Sequence, residues 1–151
     1  MKPCIKSLKL LAGFLLAAIA ATVAGSEVPG FFPSARHPGF PFSEAVAHGG
    51  MLYLSGDIGT GADGKLVAGG IGPETRQVME NIKATLARHQ LGMGDIVKCT
   101  VFLADIADWP EFNTVYAGYF DPGRYPARSA LAAAGLALGA KVEVECMAAM
   151  R

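Results

Sequence analysis

The chain has 151 residues, 13 basic and 13 acidic side chains, a formal charge of zero and an apolar fraction of 52%. That length accommodates one domain of ordinary size and little more. Much of the apolar excess lies in the first two dozen residues; without them ten basic side chains face thirteen acids, a formal charge of −3, with no Lys/Arg cluster after Lys9. A protein that grips phosphate backbones needs a basic stripe, so the charge pattern excludes nucleic acid as the natural partner.

Lys2, Lys6 and Lys9 precede an apolar run over 10–21, and small residues follow through Gly25. This is the layout of a cleavable secretory signal over 1–25, which implies a periplasmic or secreted protein. The run is shorter than the roughly 20 residues a membrane span needs, so no membrane association is expected after cleavage. Cys4 stands before the apolar run, the wrong end for a lipid-bearing cysteine. Residues 26–41 carry four prolines and no period, and read as an irregular N-terminal arm leading into a domain over 42–151.

Two short apolar runs, 42–47 and 51–55, are joined by His48-Gly49-Gly50 in the pattern of a hairpin. The stretch 57–72 holds six glycines and reads as a long loop. Gly72-Pro73 resembles a helix opening, and Val78, Ile82 and Leu86 recur at helical spacing to His89. After Leu91-Gly92-Met93-Gly94, a strand over 97–103 places Val97, Cys99, Val101 and Leu103 on one face. Asp108 with Glu111 resembles a capping box, and Phe112, Tyr116 and Tyr119 carry a second helix to Phe120. Asp121-Pro122-Gly123 stops it, and strands over 129–133 and 141–149 follow. The order is ββαβαββ, an α/β (α+β) domain with two helices on one face of a mixed sheet. The other face stays bare unless a further subunit covers it, so an oligomer is expected.

In Pro126-Ala127-Arg128-Ser129 a proline-stiffened loop presents an arginine where a strand begins. A planar guanidinium can grip a carboxylate with two parallel charge-assisted hydrogen bonds; a structural ion pair would account for it equally well. Alternation along the last strand puts Glu143 and Glu145 on one face, either as a solvated surface or with one of them holding a water beside a substrate. His37, His48 and His89 lack ligand-like spacing, so no metal site is suggested. No phosphate-cradling glycine motif or serine elbow is present. Cys99 and Cys146 fall on apolar strand faces. An exported chain could oxidise them to a disulfide, but buried free thiols are the reading preferred from the sequence.

The blocks Pro41-Phe42-Ser43-Glu44-Ala45-Val46, Tyr53-Leu54-Ser55-Gly56, Thr75-Arg76-Gln77-Val78-Met79-Glu80-Asn81-Ile82, Val97-Lys98-Cys99-Thr100-Val101-Phe102-Leu103, Asn113 with Tyr116, Pro126-Ala127-Arg128-Ser129 and Val142-Glu143-Val144-Glu145 resemble, in order and spacing, the reactive intermediate deaminase (RidA, also called YjgF) family over about residues 31–151. The resemblance implies a chorismate-mutase-like fold, a homotrimer with sites in the clefts between subunits, no cofactor, and hydrolysis of reactive 2-imino or enamine acids, such as 2-iminobutanoate and 2-iminopropanoate, to 2-keto acids and ammonia. It also implies that Arg128 holds the substrate carboxylate and Glu143 positions the attacking water. Asn113, Ser55, Gly56 and Ser129 would complete the small-molecule cleft. Three positions depart from the family pattern: Phe42 stands where tyrosine is frequent, Asp57 where glutamine is frequent, and Ala130 where cysteine or threonine is frequent. The hydroxyl or thiol absent at Phe42 and Ala130 and the negative charge added at Asp57 keep open an alternative, a catalytically weak trimer that binds small carboxylates or protects other proteins. A ribonuclease label is often attached to the family, and the acidic charge argues against it here.

Overall fold

A computed structural model describes residues 28–151, so the signal expected over 1–25 lies outside the described residues. In chain order the elements are β1 (Gly30–Pro33), β2 (Ser43–His48), β3 (Met51–Leu54), β4 (Asp57–Ile58), α1 (Ile71–Arg88), β5 (Ile96–Leu103), α2 (Trp109–Ala117), β6 (Ala127–Ala132) and β7 (Val142–Ala149). Six strands run in the order β1-β2-β3-β7-β5-β6, and the two-residue β4 pairs with β7 beside this path. Only β5 and β6 pair in parallel, which makes the sheet mixed as expected.

The helices cover one face. Leu52 and Leu54 of β3, Cys99, Val101 and Leu103 of β5, and Val142 and Val144 of β7 are buried against Val78, Ile82 and Leu86 of α1 and Phe112 of α2. Period-two burial along β7 and the 3.6-residue stripe of α1 point at one another, so the two patterns close a common core. On the opposite face Phe31, Tyr53, Leu131 and Met147 remain exposed. Register sets three of them in a row across the sheet, since Phe31 stands opposite Val46, Val46 opposite Tyr53, and Tyr53 opposite Met147.

Several expectations need correction. Part of the arm is a strand: β1 pairs antiparallel with β2, and its one proline, Pro33, is tolerated because it lies at the sheet edge. The hairpin turn is Gly49-Gly50 alone, both at positive φ as a tight two-residue turn requires, and His48 belongs to β2. The glycine-rich stretch includes β4, and α1 begins at Ile71, two residues before Pro73. A bulge between Ile96 and Lys98 turns Val97 outward and leaves Ile96 buried, so Val97 does not share the face of Cys99. Asp108 makes no side-chain cap; Asp105 caps the preceding 3-10 turn through the Ala107 amide.

Cys99 and Cys146 are joined in a disulfide, not held as free thiols. The sequence hid this because strands 47 residues apart become neighbours only when β7 inserts between β3 and β5. There the register sets Cys99 directly opposite Cys146.

Candidate active site

Arg128 lies within β6, one residue past its start, instead of in the loop before it. Parallel pairing sets it opposite Cys99, so its side chain turns toward the helices. Its guanidinium carbon stands 5.2 Å from the Trp109 ring centre, 5.7 Å from that of Phe112 and 4.8 Å from that of Tyr116. Cation–π attraction to three rings orients the fork without consuming its donors on an acid. Among the described residues no carboxylate pairs with it. The structural ion pair that could have explained this arginine is therefore not what holds it.

Two further polar atoms on α2 lack partners: Asn113 Oδ1 and the Tyr116 hydroxyl are buried and make no hydrogen bond. Buried polar atoms are nearly always satisfied, so a pair of orphans on the helix that carries the Arg128 aromatic bed is a sign of groups waiting for a ligand or another chain. Burial pushes the Tyr116 phenol up to about 12, against the lowering effect of Arg128, so this hydroxyl stays protonated at any ordinary pH. On β6 itself Ser129 points to the open side and is exposed, while Ala130 packs against the core.

The acidic side chains gather where β4 meets β7. Ile58 stands opposite Glu143 and Asp57 opposite Val144. Glu143 lies against Gly56 so closely that a Cβ at position 56 would sit 3.0 Å from its carboxyl carbon and 3.2 Å from its Cγ. Burial raises the Glu143 carboxyl above its usual range, and the charges of Glu145 and Asp57 raise it further. Asp57 is also raised by burial, opposed by Arg36, which forms an ion pair with it, and by Asn81, whose amide donates to it at 3.3 Å. Arg36 thus neutralises the charge that sets Asp57 apart from the family pattern. Ser55 donates its hydroxyl to the Ser43 carbonyl at 2.6 Å, and Phe42, 43% exposed, packs against His37 and Phe40.

Phe42, Ser55, Gly56, Asp57 and Glu143 line one cavity of about 670 Å³. Arg128, Asn113, Ser129 and Ala130 do not reach it. Arg128 faces the helices from the edge strand β6; Glu143 belongs to the open face of β7, with β5 between them. Within one chain the two groups therefore lie apart, Arg128 with no acid beside it and Glu143 among acids. Sequence reasoning missed Arg36 and the aromatic bed. Arg36 sits in a segment with no periodic signal. Trp109, Phe112 and Tyr116 follow helical spacing, and read as core residues until β6 brings Arg128 over them. Of the histidines, His89 packs its ring against Phe32 and His48 lies at the exposed end of β2. Among the described residues no three His, Cys, Asp or Glu side chains cluster as metal ligands would, and no helix is long and apolar enough to cross a membrane.

Residues 33–150 match the family described as Endoribonuclease L-PSP. The chain is 43% identical over 110 residues to Protein HMF1 of Saccharomyces cerevisiae, covering 73% of this chain and 84% of that protein. It is 40% identical over 109 residues to the 2-iminobutanoate/2-iminopropanoate deaminase of Bos taurus, covering 72% of this chain and 79% of that protein. Among solved structures, the YjgF gene product of E. coli superposes with a TM-score of 0.71 at 34% identity, covering 77% of this chain and 92% of that one.

Proposed function

The chain belongs to the RidA/YjgF family, and from that premise we propose that it is a hydrolytic deaminase converting 2-imino acids, and the enamines that tautomerise to them, into 2-keto acids and ammonia. The observation that carries the reading is Arg128, a fixed guanidinium on an aromatic bed with no acid of its own. A site of this kind suits a small carboxylate.

In this reading the molecule is a homotrimer, and the cleft between two subunits unites the Arg128 half of one with the Glu143 half of the next. The exposed Tyr53, Leu131 and Met147 of the open sheet face support it, since a second chain would bury them. Arg128 holds the substrate carboxylate, and Asn113 and Tyr116 gain partners for their orphaned oxygens. Glu143 orients a water and takes its proton as the water oxygen bonds to the imine carbon. That proton passes to the nitrogen to give a carbinolamine, whose hydroxyl proton then moves through Glu143 to the nitrogen as the carbon–oxygen double bond forms and the carbon–nitrogen bond breaks, so that ammonia leaves a ketone. No cofactor takes part. The leader-like residues 1–25 assign the activity to the periplasm or the exterior.

A second reading, a weak trimeric module that binds small carboxylates or protects other proteins, is favoured by Phe42 and Ala130, which offer no hydroxyl or thiol. The family's endoribonuclease label is not carried over, because no Lys/Arg cluster follows Lys9 to form a basic stripe.

The test is keto-acid formation when the purified protein meets imino acids generated by an amino-acid oxidase. Acceleration is expected, and Arg128→Ala should lower kcat/KM by about 10²-fold, the scale of a lost charge-assisted hydrogen-bond pair. Unchanged turnover in that variant would remove Arg128 from the site. Binding of 2-keto acids without acceleration would favour the second reading.

A further inference from the structure

The cavity beside Glu143 is larger than the smallest substrates require. At about 670 Å³ it lies in the range of sites that hold drug-sized ligands, and a three- or four-carbon acid would fill only a fraction of it. On its lining Asp57 pairs with Arg36, and Arg88 engages one oxygen of Glu44, whose other oxygen is buried without a partner. The same lining carries apolar and aromatic side chains, Phe40, Phe42, Leu54, Ile82 and Leu138 among them.

The aromatic wall comes from the arm. His37, Phe40 and Phe42 form a triangle with ring centres 5.8, 6.0 and 6.1 Å apart, the His37–Phe40 and Phe40–Phe42 pairs edge to face. These rings are not core, for Phe40 is 63% exposed. The arm is nevertheless held in place: Arg36 pairs with Asp57 and reaches Thr60 Oγ1 at 3.5 Å, and the His37 amide donates to Ser34 Oγ at 3.2 Å. Leu138 lines the same cavity. It is 70% exposed at a φ of 58°, a left-handed conformation that a branched apolar residue seldom adopts. An apolar side chain kept in a strained backbone position, outside the core and at the rim of a cavity, is the kind of outlier that points to function.

Resting on the deaminase reading above, we propose that this cavity receives the substrate side chain and that His37, Phe40, Phe42 and Leu138 select 2-imino acids bearing an aromatic group. Aromatic rings prefer edge-to-face and offset neighbours at centre separations of about 4.5–7 Å, the spacing the triangle already shows, so an incoming phenyl ring extends an existing cluster. The charged end of the substrate stays with Glu143 and the Arg128 of the adjoining half, and the ring lies toward the arm.

The experiment compares kcat/KM of the purified protein for the imino acids made in situ from L-phenylalanine, L-leucine and L-alanine, with calorimetry of phenylpyruvate and pyruvate beside it. The aromatic substrate is expected to be favoured over the alanine-derived one by at least about 10-fold, the scale on which apolar pockets discriminate. Phe40→Ala and Leu138→Gly should reduce that ratio several-fold. Glycine suits the left-handed position, so Leu138→Gly tests the rim without endangering the fold. Equal turnover of the three substrates, a leucine-derived substrate preferred to the aromatic one, or a ratio that survives both substitutions overturns the aromatic selectivity and leaves the deaminase standing. If no imino acid is turned over, the deaminase reading falls. Calorimetry then decides the cavity alone: phenylpyruvate bound more tightly than pyruvate, with the difference lost in Leu138→Gly, sustains it, and equal or absent binding overturns it.

Discussion

At the β6 edge a single cation lies on three aromatic rings with no acid beside it, whereas where β4 pairs with β7 the charges of Asp57 and Glu145 act on Glu143 and Arg36 pairs with Asp57. The first region fixes geometry: rings and strand hold a permanently charged fork. In the second, burial and the charges of Glu145 and Asp57 raise the Glu143 carboxyl above its ordinary value. Each region holds what the other lacks, and the fold of one chain keeps them on different faces of the sheet.

The sharpest way to break this comparison is to damage one half in each of two subunits. Arg128→Ala and Glu143→Gln chains should each be strongly impaired alone. Unfolded and refolded together, they should recover activity through trimers that contain an intact cleft. Activity that does not return on mixing would mean that both groups serve the same chain's site. Next in size is Glu143→Gln by itself. Loss of positioned proton transfer should reduce kcat by about 10²–10⁴. The parent rate should fall as pH drops through the raised Glu143 pKa, because the carboxylate must be ionised to take the water's proton, and this acid limb should vanish in the variant. The same shift has a signature in stability. A carboxyl whose pKa is raised on folding opposes the folded state where it is ionised, so Glu143→Gln should gain thermal stability at neutral pH and lose that advantage as pH falls through the folded pKa.

The Cys99–Cys146 link ties β5, which aligns Arg128, to β7, which carries Glu143. Replacing both cysteines by alanine should lower unfolding stability by roughly 4 kcal/mol, the chain-entropy expectation for a loop of this length. Chemical denaturation measures it, and a loss near zero would mean the bridge does not restrain the unfolded chain. The smallest effect is expected from Glu145→Gln. Removing that charge should move the acid limb of the rate profile to lower pH with little change in the plateau, since Glu145 raises Glu143. An unmoved limb would place the titrating group elsewhere.

Much of the fold was legible because its signals are local. Apolar alternation over 141–149 and the Val78, Ile82, Leu86 stripe are properties of neighbouring residues, and they named the core strand and the long helix correctly. The errors fell where the decision was distant. Residues 30–33 look irregular alone and become β1 only because β2 offers an edge; Val97 reads as core until a bulge opposite β7 turns it outward. Arg128 and Glu143 could be singled out by residue type and by resemblance, yet nothing in their spacing said that they would lie on opposite faces.

Sequence by itself determined the types of the long helices and core strands and the family to which the chain belongs, because periodicity and short motifs act over a few residues. Tertiary structure decided the rest. Strand order placed Cys99 against Cys146, packing laid Arg128 over three rings, and the arm brought Arg36 to Asp57 across 21 positions. Those partnerships depend on which surfaces meet after the chain has folded, and no local pattern encodes them.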